Sequence, residues 1–147
     1  MARARRYELA YQSLRQDPHP LPPISDAEGL LLAADTARLS GHPREAVPPL
    51  LRYLSHFSTD ARAPSVAMIL GRVYFDALKS PATAAKAFAQ AERLDPHGPL
   101  AEDALARQVE SFAASKRNDL AHQALARYEA RFPDGRYLTM LRALVAQ

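Results

Sequence analysis

The chain has no cysteine and no tryptophan, only five glycines, and aromatics make up 7% of it. Without cysteine there is no disulfide framework, no thiolate metal site and no thiol nucleophile. Five glycines build no Gly-rich phosphate loop, and no serine stands in Gly-x-Ser-x-Gly. No apolar run approaches the roughly 18 residues that cross a bilayer. At the start of the chain Arg3, Arg5 and Arg6 are followed by Tyr7-Glu8, without the continuous apolar stretch of a secretory signal. The five histidines are scattered, and no pair stands at i,i+4 with a glutamate between, as a metalloprotease requires. Carboxylates are single apart from Glu102-Asp103, where an expected helix start gives them a dipole to complement. The expectation is a protein that is not an enzyme and uses no cofactor and no metal.

What is abundant is alanine and leucine, within 48% apolar residues. Both favour helix and allow helices to pack closely. Net charge is +3, and the excess sits at the N-terminus, where Arg3, Arg5, Arg6 and Arg15 face only Glu8; the remaining charges balance. Such an arm can meet phosphate or anionic lipid, but no nucleic-acid module accompanies it and a solvated helix face explains it as well.

Residues 69–96 carry Leu70-Gly71-x-x-Tyr74, then Ala84-x3-Phe88, then Pro96. Order and spacing resemble the tetratricopeptide (TPR) signature, with about one extra residue in the turn and no Trp. The second-helix pattern recurs as Ala46-x3-Leu50 and Ala121-x3-Leu125, 38 residues before and 37 after Ala84, with Ala10-x3-Leu14 a further 36 upstream of Ala46. First helices match as well: Leu30, Ala34 and Ala37, then Ala67, Gly71 and Tyr74, then Leu105, Val109 and Phe112. Small residues at Ala34, Gly71, Ala46, Ala84 and Ala121 let helices approach, and Tyr74, Phe88, Phe112 and Leu125 fill the space between.

The punctuation predicts helices near 4–16, 25–40, 43–57, 61–78, 81–94, 99–115, 119–131 and 136–146. Ser25-x-x-Glu28 reads as a capping box. Ser80 and Asn118 read as caps, and Gly98-Pro99 as a helix opening. Pro48-Pro49 predicts a bend or a widened turn. The expected fold is all-α, a right-handed TPR-type α-solenoid of about three helix–turn–helix repeats. Its parts are a basic half-repeat (1–16), a polyproline-like connector (17–24), repeats over 25–60, 61–97 and 98–135, and a capping helix (136–147).

In arrays of this kind the first helices line the concave face. Helical spacing assigns to that face Glu28, Leu31, Asp35 and Arg38, then Met68, Arg72 and Phe75, then Asp103, Arg107 and Glu110. Mixed charges around Leu31, Met68 and Phe75 suit an extended or helical peptide, and an ordinary solvated face fits the same residues. The set of Lys, Arg and Asn with which the chaperone-binding branch of the family holds a C-terminal carboxylate is not present on it.

Over residues 27–137, the phrases Leu30-Leu-Leu-Ala-Ala-Asp-Thr-Ala-Arg-Leu-Ser-Gly-His-Pro43, Leu70-Gly-Arg-Val-Tyr74, Gly98-Pro-Leu-Ala-Glu-Asp-Ala-Leu-Ala-Arg107 and Tyr128-x-x-Arg-Phe-Pro-Asp-Gly-Arg136 resemble the repeat regions of myxobacterial envelope proteins. These include anti-sigma factors of the iron-citrate-sensor type and outer-membrane assembly lipoproteins. The resemblance implies a protein–protein docking module of envelope signalling or assembly, periplasmic if the sequence is a fragment and joined to a membrane only through a segment outside it. If the sequence is complete as written, a cytoplasmic TPR scaffold or regulator is expected instead. A third reading is nucleic-acid or anionic-surface binding through the arginine arm. An unpaired half-repeat at residues 1–16 also offers a route to a homodimer.

Overall fold

The computed structural model describes the backbone of residues 2–16 and 26–147, and the side chains of residues 5–13 and 26–147. The connector at 17–24, the Ser25 cap and the Arg3 and Arg15 side chains lie outside the described residues. Those described form helices and turns and no strand, and consecutive helices pack on one another within each of two compact units, Met1–Ser58 and Thr59–Gln147.

The first unit holds α1 (Ala2–Gln16), α2 (Ala27–Leu39) and α3 (Pro43–His56). Helix α2 starts one residue later than a Ser25 cap requires, because Asp26 takes the role: its carboxylate accepts the Gly29 amide at 2.6 Å. An ionised cap also suits the positive end of the helix dipole. Leu30, Ala34 and Ala37 of α2 are buried, as are Ala46, Leu50, Tyr53 and Leu54 of α3. Pro48 and Pro49 lie inside α3, which continues through them as α-helix; the widened turn expected there is found elsewhere in the chain. Helix α1 packs on α2, and its Tyr11 stacks on His42 with ring centroids 3.8 Å apart and donates to Glu45.

The second unit holds α4 (Ala63–Arg72) with a π-helical continuation (Val73–Ala77), then α5 (Pro81–Leu94), α6 (Ala101–Ala114), α7 (Asn118–Arg131) and α8 (Leu138–Val145). Its core is small and close-packed. Ala67, Ala84, Ala104 and Ala121 are fully buried around Phe88, Leu105, Val109, Tyr128 and Leu141. A Cβ on Gly71 would lie 2.4 Å from the Phe88 ring, so only glycine lets α4 and α5 approach this closely.

The α2–α3, α4–α5 and α6–α7 turns each hold one residue of left-handed conformation: Gly41 (φ 87°), Lys79 (φ 51°) and Lys116 (φ 58°). Their spacing of 38 and 37 repeats that of the second-helix alanines. The turns close alike: the His42 amide donates to the Ala37 carbonyl at 2.8 Å, and the Arg117 amide to Phe112 at 2.9 Å, in a Schellman-type 6→1 bond. In the middle pair the Ser80 amide reaches Tyr74 at 2.7 Å, closing over one residue more. The extra residue is thus housed in a π-helical widening of the first helix, where the sequence reading put it in the turn.

Helix starts differ in detail. The Ser80 hydroxyl donates to Thr83 Oγ1 and makes no cap to a backbone amide. Asn118 is the first residue of α7, with Arg117 in the cap position. Gly98 and Pro99 belong to a turn before α6, and Ala101 begins the helix.

Candidate functional site

Arg107, at the middle of α6, meets two aromatic rings and two carboxylates. Its guanidinium carbon lies 4.6 Å from the Phe75 ring centroid and 5.2 Å from that of Phe88. One end of its fork meets Glu110 Oε2 at 2.5 Å, one turn along α6, and the other lies 3.5 Å from Asp76 Oδ1 on the π segment. A planar cation serves both roles at once, stacking by its face and pairing by its edge. Asp76 is 63% exposed while Arg107 is 26% exposed, so the cluster lies at the rim of the packed core.

Phe75, Arg107 and Glu110 line a cavity of about 590 Å³. Ala113, Ala114 and Ala121 add small side chains to the lining, Lys116 and Asn118 add polar ones, and Met140, Leu144 and Val145 come from α8. The volume lies in the range that takes a small ligand or a few side chains of a peptide. Met140 keeps 43% of its surface exposed. Among the described residues no group of three His, Asp or Glu side chains converges as a metal site, and no helix is long and apolar enough to cross a membrane.

Three expected face residues therefore meet in one cavity: Phe75, Arg107 and Glu110. Arg72 is exposed nearby in sequence but does not line it. Met68 is a correction: at 2% exposure it belongs to the core and offers no surface to a partner. Helix α4 is buried on several sides, with Ala63, Val66, Ala67, Leu70 and Gly71 also covered, so a one-sided face cannot be read from its periodicity. Asp103 is turned to another task, accepting from the Arg136 guanidinium at 2.6 Å and the Tyr137 hydroxyl at 2.8 Å. In the first unit Asp35 and Arg38 pair with each other at 3.1 Å, Glu28 is exposed and Leu31 is half-buried. Arg5 and Arg6 are exposed on α1.

Lys116, Met140, Leu144 and Val145 line the groove without having been expected there from the sequence. A signal existed in α8, whose Leu138, Met140, Leu141, Leu144 and Val145 span a wider arc than one neighbouring helix covers.

Behind the groove, two polar clusters hold α5 to α8 in place. Glu92 of α5, 5% exposed, accepts from Gln108 of α6 at 2.6 Å and from Arg127 and Arg131 of α7, both at 2.5 Å. Tyr128 donates to Glu102 at 2.7 Å and accepts the Tyr137 amide at 3.1 Å, and the Arg136 amide donates to the same Glu102 oxygen at 2.9 Å. Burial, then the hydrogen bond to the Glu102 carboxylate, push the Tyr128 hydroxyl up to about 12. Tyr137 is raised through its bond to Asp103, and the Asp103 charge raises Arg136. Gly135 leaves room for this arrangement, since a Cβ there would lie 2.3 Å from the Tyr128 hydroxyl oxygen.

No protein-family model matches the chain, and no curated protein matches it either.

Proposed function

We propose that this chain is a right-handed tetratricopeptide-type solenoid of three helix–turn–helix repeats, with a half-repeat before them and a capping helix after. It works without catalysis, by holding a segment of another protein. The recurrence of Gly41, Lys79 and Lys116 as left-handed turn residues at the repeat spacing supports the architecture. The resemblance of residues 27–137 to envelope repeat proteins supports a docking role in bacterial envelope signalling of the anti-sigma kind, or in envelope assembly.

The observation that carries the binding reading is the cavity lined by Phe75, Arg107 and Glu110 together with Met140, Leu144 and Val145. Its apolar lining, from Phe75, the three alanines, Met140, Leu144 and Val145, fits a bulky apolar side chain. Arg107 is already paired with Glu110 and Asp76, so the groove gains little by taking up a further unpaired charge. The ligand is therefore a peptide segment anchored by a large aliphatic or aromatic residue, extended or helical.

Selection from a random peptide display library tests this. Selected peptides should share one bulky apolar anchor, and in fluorescence anisotropy their affinity should fall at least tenfold with Phe75→Ala. Selected peptides that bind the Phe75→Ala protein unchanged, or the absence of any selected sequence, would count against it.

A further inference from the structure

We infer that the one extra residue in the α4–α5 pair is a groove-building insertion, whose π-helical accommodation sets Phe75 and Asp76 against Arg107. Its functional consequence rests on the reading of that groove as a peptide site; the placement of Phe75 does not.

First-helix positions run Ala37, Tyr74 and Phe112, at intervals of 37 and 38. The left-handed turn residues run Gly41, Lys79 and Lys116, at intervals of 38 and 37. Three residues separate the two positions in the outer pairs, and four, Phe75 to Leu78, separate them in the middle pair.

Packing locks both flanks of the insertion. Upstream, Gly71 is pinned under the Phe88 ring, and Ala67 and Leu70 are buried. Downstream, Ala84 and Phe88 are fully buried. Neither flank can slip by one residue without moving a core side chain to the surface. The surplus is absorbed between them, at Val73–Ala77, where the Leu78 amide donates to the Val73 carbonyl five residues back at 3.0 Å. A wider turn advances each residue through a smaller angle than an α-helix does.

The result differs from the equivalent place in the first pair. There Arg38 follows Ala37 directly and pairs with Asp35 on its own helix, at 3.1 Å. After Tyr74, Phe75 and Asp76 instead reach across to a different helix, placing a ring 4.6 Å from the Arg107 guanidinium and a carboxylate 3.5 Å from it. π-Helical turns are less favourable than α-helix and recur where they position functional groups. Here Phe75 and Asp76 are positioning residues: both fix the direction of Arg107, and Phe75 also lines the cavity.

Deletion of Ala77, which is exposed, tests this without any ligand. The shortened turn then closes over as many residues as its two counterparts. Helicity and cooperative unfolding should be retained. The upfield ring-current shift that Phe75 imposes on the Arg107 side-chain protons should be lost, read by NMR with Phe75→Leu marking its complete absence. Deletion of Leu78 is a second version of the same shortening. A folded deletion variant that keeps the shift overturns the inference. Failure of both variants to fold overturns it too, because the extra residue would then serve folding and not the groove. Loss of the shift in a protein whose parent binds no selected peptide would sink the peptide reading and leave the positioning role standing.

Discussion

The Phe88 ring fills the space that a side chain at Gly71 would need, with three of its carbons within 2.4–2.7 Å of where a Cβ would stand. Phe88 is fully buried, so the ring has no open space to move into. Gly71→Ala gains about 1 kcal/mol in helix propensity. It incurs an overpacking cost of about 1–3 kcal/mol, expected here at the upper end, because a rigid ring is the obstacle. The expected net result is a destabilisation of about 1–2 kcal/mol in urea unfolding. Phe88→Leu in the same chain should recover part of that loss, as a favourable coupling in a double-mutant cycle. A Gly71→Ala protein as stable as the parent would show that moving the helices apart costs no more than the about 1 kcal/mol gained in helix propensity.

Glu92 ties three helices with one carboxylate, and its partners differ in how much they lose without it. Gln108 is 2% exposed, whereas the Arg127 side chain is 53% and the Arg131 side chain 31% exposed. Glu92→Ala leaves the Gln108 amide short of its main acceptor and should cost about 2–3 kcal/mol. Arg127→Ala should cost less than 1 kcal/mol, since that cation already lies half in water and the carboxylate keeps two donors. Arg131→Ala should fall between them, because Arg131 also donates to the Pro96 carbonyl. Chemical denaturation of the three variants checks the order; equal losses would mean the cluster acts as a surface network and not as a buried tie.

Tyr128 gives the second unit a defined limit on the alkaline side. Its hydroxyl pKa is about 12 in the folded chain and near 10 in an unfolded one. A group whose folded pKa is raised stabilises the fold fully below the unfolded value, and that contribution is lost as pH rises through the folded value. Stability should therefore decline between about pH 10 and pH 12. Tyr128→Phe should be less stable at pH 8, having lost the bonds to Glu102 and the Tyr137 amide, yet show a flatter decline above pH 10. Thermal unfolding at stepped pH measures both; parallel curves for the two proteins would remove Tyr128 as the cause.

The helices and most of their ends were legible in the sequence, because alanine, glycine and large apolar residues recur at positions that packing dictates. Gly71 and Phe88 show this best: the pattern marked one as small and the other as filling, and the two are in contact. The turns were less legible. Gly41 announces a left-handed residue, but Lys79 and Lys116 adopt the same conformation with side chains that seldom do. The extra residue of the middle pair was countable, but spacing alone does not say whether a helix widens or a turn lengthens; the pinned Gly71 decides that. Met68 was misplaced because periodicity identifies an exposed face only on a helix covered from one side. Asp103 looked like its neighbour Arg107 in sequence, and only the fold brings Arg136 and Tyr137 to it. The contribution of α8 was missed because the helix was read only as a cap over the last repeat.

Met140 separates binding from stability most cleanly among the groove residues. It is 43% exposed and stands on α8, lining the same cavity as Phe75 and Arg107. Met140→Glu should change stability by no more than about 0.5 kcal/mol, as exposed substitutions generally do. In the groove, however, the new carboxylate borders the space in which an apolar anchor must sit, and it would be desolvated there when a ligand binds. Affinity for selected peptides should fall at least tenfold, about 1.4 kcal/mol, and Met140→Leu should restore it because shape and polarity are kept. Fluorescence anisotropy beside a melting curve gives both quantities on the same samples. Should Met140→Glu bind as tightly as the parent while melting at the same temperature, the α8 wall takes no part in recognition and the ligand would rest on the Phe75 and Arg107 side alone.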